Sequence, residues 1–133
     1  MTTSDHSLIA QLLNLDLPEG DWALFGSGPL LIRGWIDEVS DLDVISRGAA
    51  WDRARRLGRP SLLPDGNEIV TIGEGVTVGT TWAYGDVDVD HLIDTAEMID
   101  GVPCVTIDHI VAYKLIADRP KDRAHLAVIE ARS

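Results

Sequence analysis

The sequence is poor in cysteine, in positive charge and in long apolar runs, and each shortage excludes something. A single cysteine, Cys104, stands among 133 residues, so there is no internal disulfide framework and no thiolate cluster for zinc. A reducing compartment is the simple expectation. No window approaches the ~18 consecutive apolar residues that a membrane-spanning helix requires. The first residues, MTTSDHSL, carry neither a basic segment nor a long apolar one, so no secretion signal is expected and a cytoplasmic protein is. Lysine and arginine number 11 against 22 acidic residues, a formal net charge of −11. Affinity for nucleic acid rests mainly on neutralising phosphates with Lys and Arg. The balance therefore favours a small-molecule or protein partner, and nucleic acid is not expected. A Walker-type glycine loop and a Ser-His-Asp order are missing too. His6, His91, His109 and His125 are scattered, with no paired ligand spacing.

What is present describes one ordinary globular domain, 45% apolar and 25% charged, long enough to bury a core. The chain is organised around Trp22 to Ser46. Trp22-Ala23-Leu24-Phe25 is a short apolar run of buried-strand type, broken by Gly26-Ser27-Gly28. Pro29 suits the first position of a helix, where its missing N–H costs nothing, and Gly34 suits its end. Asp41-Leu42-Asp43-Val44-Ile45 then alternates, which puts both aspartates on one strand face and Leu42 and Val44 on the other. Adjacent carboxylates repel unless a cation or a donor sits between them. Hard oxygen ligands of this kind suit Mg²⁺, with substrate phosphates completing the shell.

Further along, apolar spacing predicts a first helix capped by Ser4 or Asp5, and a helix from Ala49 to Leu57 bearing Arg53, Arg55 and Arg56. That basic group reads first as a solvated face, with a phosphate contact as the sharper alternative. Residues 59–67 read as a loop with a Pro-Asp-Gly turn. Glu68–Ile72 and Val76–Trp82 read as two strands of a hairpin around Gly73-Glu74-Gly75, closed off by Tyr84-Gly85. A helix follows from Asp88 or Asp90 to about Ile99, stopped by Asp100-Gly101, then a short strand from Pro103 to Val105. Two helices separated at Arg119-Pro120 finish the chain, the first capped by Thr106 or Asp108. The expected class is α+β, a small mixed β-sheet flanked by helices. The run Asp86-Val87-Asp88-Val89-Asp90, with Glu97 downstream, imitates calcium-loop spacing. His91 stands where the sharp turn needs Gly, so an acidic helix start is the simpler account. Trp22, Trp35, Trp51 and Trp82 read as core anchors.

The ordered set Gly26-Ser27, Arg33-Gly34 and Ser40-Asp41-Leu42-Asp43, flanked by apolar strands, resembles the nucleotidyltransferase superfamily built on the polymerase-beta-like core. The resemblance runs from about Trp22 to the C-terminus. It implies that Asp41 and Asp43 hold Mg²⁺ as catalytic ligands, and that Gly26 and Ser27 grip the phosphates of a nucleoside triphosphate. The tail is similar to that of small proteins of this type, at Lys114, Arg119, Lys121 and Asp122. It implies that Lys114 is a phosphate ligand, with a lysine snorkelling to water as the alternative, and that Asp122 orders the helix junction. Transfer of a nucleoside monophosphate to an acceptor hydroxyl is the implied activity. Active members carry a third carboxylate on a later strand, where this chain has Thr77; Glu74 or Glu68 could substitute. Without one, a catalytically impaired relative that binds a nucleotide or a partner, with a homodimer as one form of it, is the competing expectation.

Overall fold

The computed structural model describes residues 6–64, 67–73, 75–80 and 88–132. The expected cap at Ser4 or Asp5, the turn at Asp65-Gly66, Glu74, and the segment from Thr81 through Tyr84-Gly85 to Val87 lie outside the described residues. Six helices and seven strands are seen among the described residues, in the order α1 (His6–Asn14), β1 (Trp22–Phe25), α2 (Gly28–Ile32), β2 (Leu42–Ser46), α3 (Gly48–Leu57), β3 (Arg59–Leu62), β4 (Glu68–Ile72), β5 (Val76–Gly79), α4 (Val89–Asp94), β6 (Glu97–Ile99), β7 (Val102–Cys104), α5 (Ile107–Ala117) and α6 (Pro120–Ala131). The strands form one mixed sheet in the order β3-β4-β5-β2-β1-β7-β6. Strand β2 runs antiparallel to β1 and parallel to β5, while β1 runs parallel to β7. The class is α+β.

Side-chain alternation gives the sheet two packed faces. Trp22, Leu24, Leu42, Val44, Val76 and Val78 pack on one side with residues of α1 and α3. Ala23, Phe25 and Ile45 pack on the other with Ile110 and Tyr113 of α5 and Ile129 of α6. Asp43 lies two residues from Ile45, so its parity directs it to the side of α5 and α6. Arg47 braces the far end of this layer, reaching Asp21 at 3.4 Å, Asp90 at 2.8 Å and Asp94 at 2.7 Å.

Two expectations are corrected. Residues 59–62 are not loop but the edge strand β3, paired antiparallel with β4 from Arg59↔Thr71 to Leu62↔Glu68. All four residues are exposed, so no apolar alternation marked them. Pro60 is tolerated because an edge strand has one unpaired side. The helix expected to reach Ile99 ends at Asp94, and Glu97–Ile99 pairs antiparallel with β7. Asp100 and Gly101 take φ of +50° and +82°, the two positive values of the primed turn that joins twisted hairpin strands. The Asp-Gly pair joins strands; it does not stop a helix. No helix among the described residues is long and apolar enough to cross a membrane.

Candidate functional site

The site begins where β1 ends. Phe25 pairs with Asp43 across the antiparallel ladder, so the chain leaves β1 directly beside the second aspartate. Gly26 takes φ of +64°, and a Cβ there would lie 2.9 Å from Asp43 Oδ2. Only glycine accepts both the left-handed backbone and the close approach. Ser27 follows, its carbonyl accepting from the N–H groups of Leu30 and Leu31. Asp41 stands just before β2 and Asp43 within it, while Leu42 between them and Val44 after them are fully buried on the opposite face.

A cavity of about 390 Å³ opens at this point, lined by Gly26, Ser27, Asp41 and Asp43 from the first half of the chain and by Arg119, Lys121 and His125 from the last. Glu38, Val39 and Ser40 complete its rim. The lining is therefore acidic where the first part of the chain supplies it and basic where the last part does. Burial, and then the neighbouring Asp41 carboxylate, push Asp43 up from 3.8 to about 6, against the pull of Lys121, Arg119 and Lys114. Among the described residues no group of three or more His, Cys, Asp or Glu side chains converges in metal-binding array, so the cluster here is a pair of carboxylates.

Behind the basic part of the lining lies a buried polar chain. The Lys114 side chain is fully buried, and its ammonium donates to Ser27 Oγ at 2.9 Å, to Asp122 Oδ1 at 3.2 Å and to His125 Nδ1 at 3.1 Å. Asp122 also accepts from the Arg119 backbone N–H at 3.1 Å and from Arg119 Nε at 2.6 Å. Burial alone would raise Asp122, but the Arg119 and Lys114 hydrogen bonds outweigh it and hold the carboxyl at about 2. It therefore caps the start of α6 and pairs with Lys114, as an ordering role at the helix junction requires. Burial lowers Lys114 against the opposing effect of Asp122, and burial with the Lys114 charge lowers His125.

No family model, curated protein or solved structure matches this chain. The site stands on its own geometry. Asp41, Asp43, Gly26 and Ser27, singled out in the sequence, are brought together at one cavity. Lys114 lies behind Ser27 and His125 and is absent from the cavity wall. Thr77 pairs with Asp43 across the parallel β2–β5 ladder and shares its face, so the position next to the second aspartate holds a hydroxyl. Glu68 does not substitute: it sits three residues beyond Thr71, the partner of Thr77, about 10 Å along the sheet, and pairs with Arg55 at 2.9 Å. Glu74 lies outside the described residues.

Other candidates have structural partners. Arg53 donates to the Leu15 carbonyl and Arg56 to that of Asp52, and neither reaches the cavity. Arg33 donates to the Pro29 carbonyl and pairs with Glu97. Asp88 caps α4 through the His91 N–H, and Asp90 holds Arg47. With Glu97 on a strand, no calcium loop is formed by the described part of that run. His125 was read in the sequence only as a scattered histidine, and Arg119 and Lys121 were named in the tail motif without a place in the cavity, because nothing in local spacing ties them to residues almost a hundred positions earlier. A second cavity of about 480 Å³ between α1 and the β6–β7 hairpin is lined by Leu12, Leu17, Trp22 and Met98, and its charged rim groups, Asp16 and Glu19, are both acidic.

Proposed function

We propose that this chain is a minimal nucleotidyltransferase-fold protein that binds a nucleoside triphosphate with Mg²⁺ and passes its nucleoside monophosphate to an acceptor hydroxyl. One observation carries the proposal: a single cavity sets Asp41 and Asp43 against Arg119 and Lys121, with Gly26 closed onto Asp43. A magnesium ion fits the donor set, because two adjacent carboxylates supply hard oxygens and the partly buried Asp43 gains from a counter-charge. Asp41 and Asp43 would hold the metal, which when bound neutralises charge on the phosphates and favours departure of pyrophosphate. The chain's own part is positioning. Gly26 lets the backbone approach the phosphates, Ser27 lines the cavity, and Arg119 and Lys121 offer positive charge from the last part of the chain. The net charge of −11 favours a small molecule or a protein as acceptor over nucleic acid, and a second copy of the chain in a homodimer could complete the acceptor pocket.

Thr77 favours a second reading. A hydroxyl beside Asp43 neither completes the metal shell as a carboxylate would nor takes a proton from the acceptor at neutral pH. On that reading the chain keeps the nucleotide site and binds without transfer. Calorimetric titration with each nucleoside triphosphate, with and without Mg²⁺, tests the site. The Asp41→Asn/Asp43→Asn protein is the control. Magnesium-dependent binding lost in the control supports it, and a search for labelled acceptor then separates transfer from binding alone. Absence of binding at millimolar nucleotide would sink both readings.

A further inference from the structure

We infer that His125 is an anion-binding residue of this cavity, acting as a neutral imidazole that donates through Nε2–H, with its tautomer set from behind by Lys114. The inference deepens the phosphate-site reading and rests on it. His125 lines the cavity together with Arg119 and Lys121, among the groups that the last part of the chain supplies. Its Nδ1 is turned inward, 3.1 Å from the Lys114 ammonium and 3.1 Å from Ser27 Oγ.

The proton count follows from the donors. An ammonium has no lone pair, so a ring nitrogen facing it must accept. Asp122, ionised throughout the neutral range, lies 3.2 Å from Lys114 and keeps the proton on the lysine. Ser27 Oγ accepts from Lys114 at 2.9 Å, and its own proton can then go to the same Nδ1. The ammonium thus leaves Nδ1 unprotonated, the Ser27 hydroxyl is compatible with either role, and the ring hydrogen sits on Nε2. The groups around the ring are Ser27 ahead of α2, Lys114 on α5, Arg119 and Lys121 at the α5–α6 junction, and Asp122 on α6. Three of these are cationic, which disfavours an imidazolium and favours the neutral ring. Asp122 opposes them, but its charge is matched by Arg119 and Lys114.

Lys114 therefore works as a positioning residue. Its protons are directed to Ser27, Asp122 and His125, and it reaches a phosphate through the two side chains that it orients. A neutral donor is useful here: it hydrogen-bonds a phosphate oxygen without placing a further cation against the buried Lys114 ammonium.

Two measurements test the inference. Long-range ¹H–¹⁵N NMR of the wild-type protein at pH 7 reads the tautomer directly, and an unprotonated Nδ1 with a protonated Nε2 is expected. A protonated Nδ1 would overturn the inference whatever the variants do. Inorganic pyrophosphate without magnesium is then titrated into wild type, His125→Gln and His125→Asn. A Gln amide reaches the region of Nε2, whereas an Asn amide reaches only that of Nδ1. The wild type should bind, the Gln variant should stay within about threefold, and the Asn variant should weaken roughly tenfold or more, the scale of one hydrogen bond to a charged group. Equal binding by wild type and His125→Asn, or no binding by wild type, overturns it. The magnesium–nucleotide titration fails separately. Pyrophosphate held through His125, with no effect of the Asp41 and Asp43 changes on nucleotide, refutes the metal site alone. Magnesium-dependent nucleotide binding that ignores His125 refutes the present inference alone.

Discussion

Replacing Asp43 with Asn should stabilise the ligand-free protein at neutral pH while removing its magnesium-dependent affinity. The folded state raises Asp43 from 3.8 to about 6, chiefly through burial and then through Asp41. A carboxyl raised on folding binds its proton more tightly in the native than in the unfolded chain. Stability from this group therefore falls as pH rises from about 4 to about 6, and the penalty is complete above that. The interval between 3.8 and about 6 corresponds to roughly 3 kcal/mol, an upper bound because the neighbouring side chains can relax around the charge. Asp43→Asn removes the charge and keeps the shape. At pH 7.5 the variant should be more stable than wild type by about 1–3 kcal/mol, a rise in Tm of several degrees for a domain of this size. At pH 4 the difference should nearly vanish. Urea unfolding of both proteins from pH 4 to 8 measures it, and the difference between them cancels the titration of groups far from Asp43. Saturating Mg²⁺ should stabilise the wild type and leave the variant unmoved. A pH-independent difference, or a variant less stable at pH 7.5, would refute the claim that Asp43 is held in an unfavourable charge state by its surroundings.

Three further outcomes are expected. Gly26→Ala must adopt a left-handed backbone and bring a methyl group within 2.9 Å of Asp43 Oδ2, so it should lose about 1–2 kcal/mol of stability and most magnesium–nucleotide affinity, read by urea unfolding and calorimetry. Asp122→Asn leaves the fully buried Lys114 ammonium without its carboxylate partner and should cost roughly 3–5 kcal/mol. Because folding lowers Asp122 to about 2, its contribution in the wild type is present above about 4 and fades as pH falls towards 2; the variant should lose that part of the acid-unfolding profile. Thr77→Asp sets a third carboxylate beside Asp43, and should tighten Mg²⁺ binding measured without nucleotide and raise the pH at which Asp43 ionises. If affinity for the metal is unchanged, Thr77 does not face the pair.

Much of the acidic half of the site was legible in sequence because it is local. Gly26-Ser27 follows an apolar strand, and the alternation through Asp41 and Asp43 sorts side chains by parity alone, so both carboxylates could be put on one face before their surroundings were known. The resemblance pointed to Thr77 as the place of a third carboxylate, but only the β2–β5 pairing sets that hydroxyl opposite Asp43. Boundaries set by partners were not legible. Arg59–Leu62 has no buried side chain to betray a strand and exists as one through its pairing with β4. Glu97–Ile99 continues a helical pattern on paper, yet the positive φ angles of Asp100 and Gly101 fold it back onto β7.

The sequence by itself determined the α+β alternation, the two-faced strand that carries the aspartates, and the glycine that lets the chain turn against them. These follow from side-chain periodicity and backbone freedom, which act over a few residues. Only the tertiary structure decided what faces the aspartates. Ser27 and His125 are 98 positions apart in the chain and meet at 3.1 Å, because α5 and α6 pack on the same side of the sheet as Ala23, Phe25 and Ile45. That packing buries Lys114 with Asp122 and turns His125 into the cavity. Burial of apolar surface brings those helices down onto the sheet, and no local rule specifies which polar groups it will carry with it.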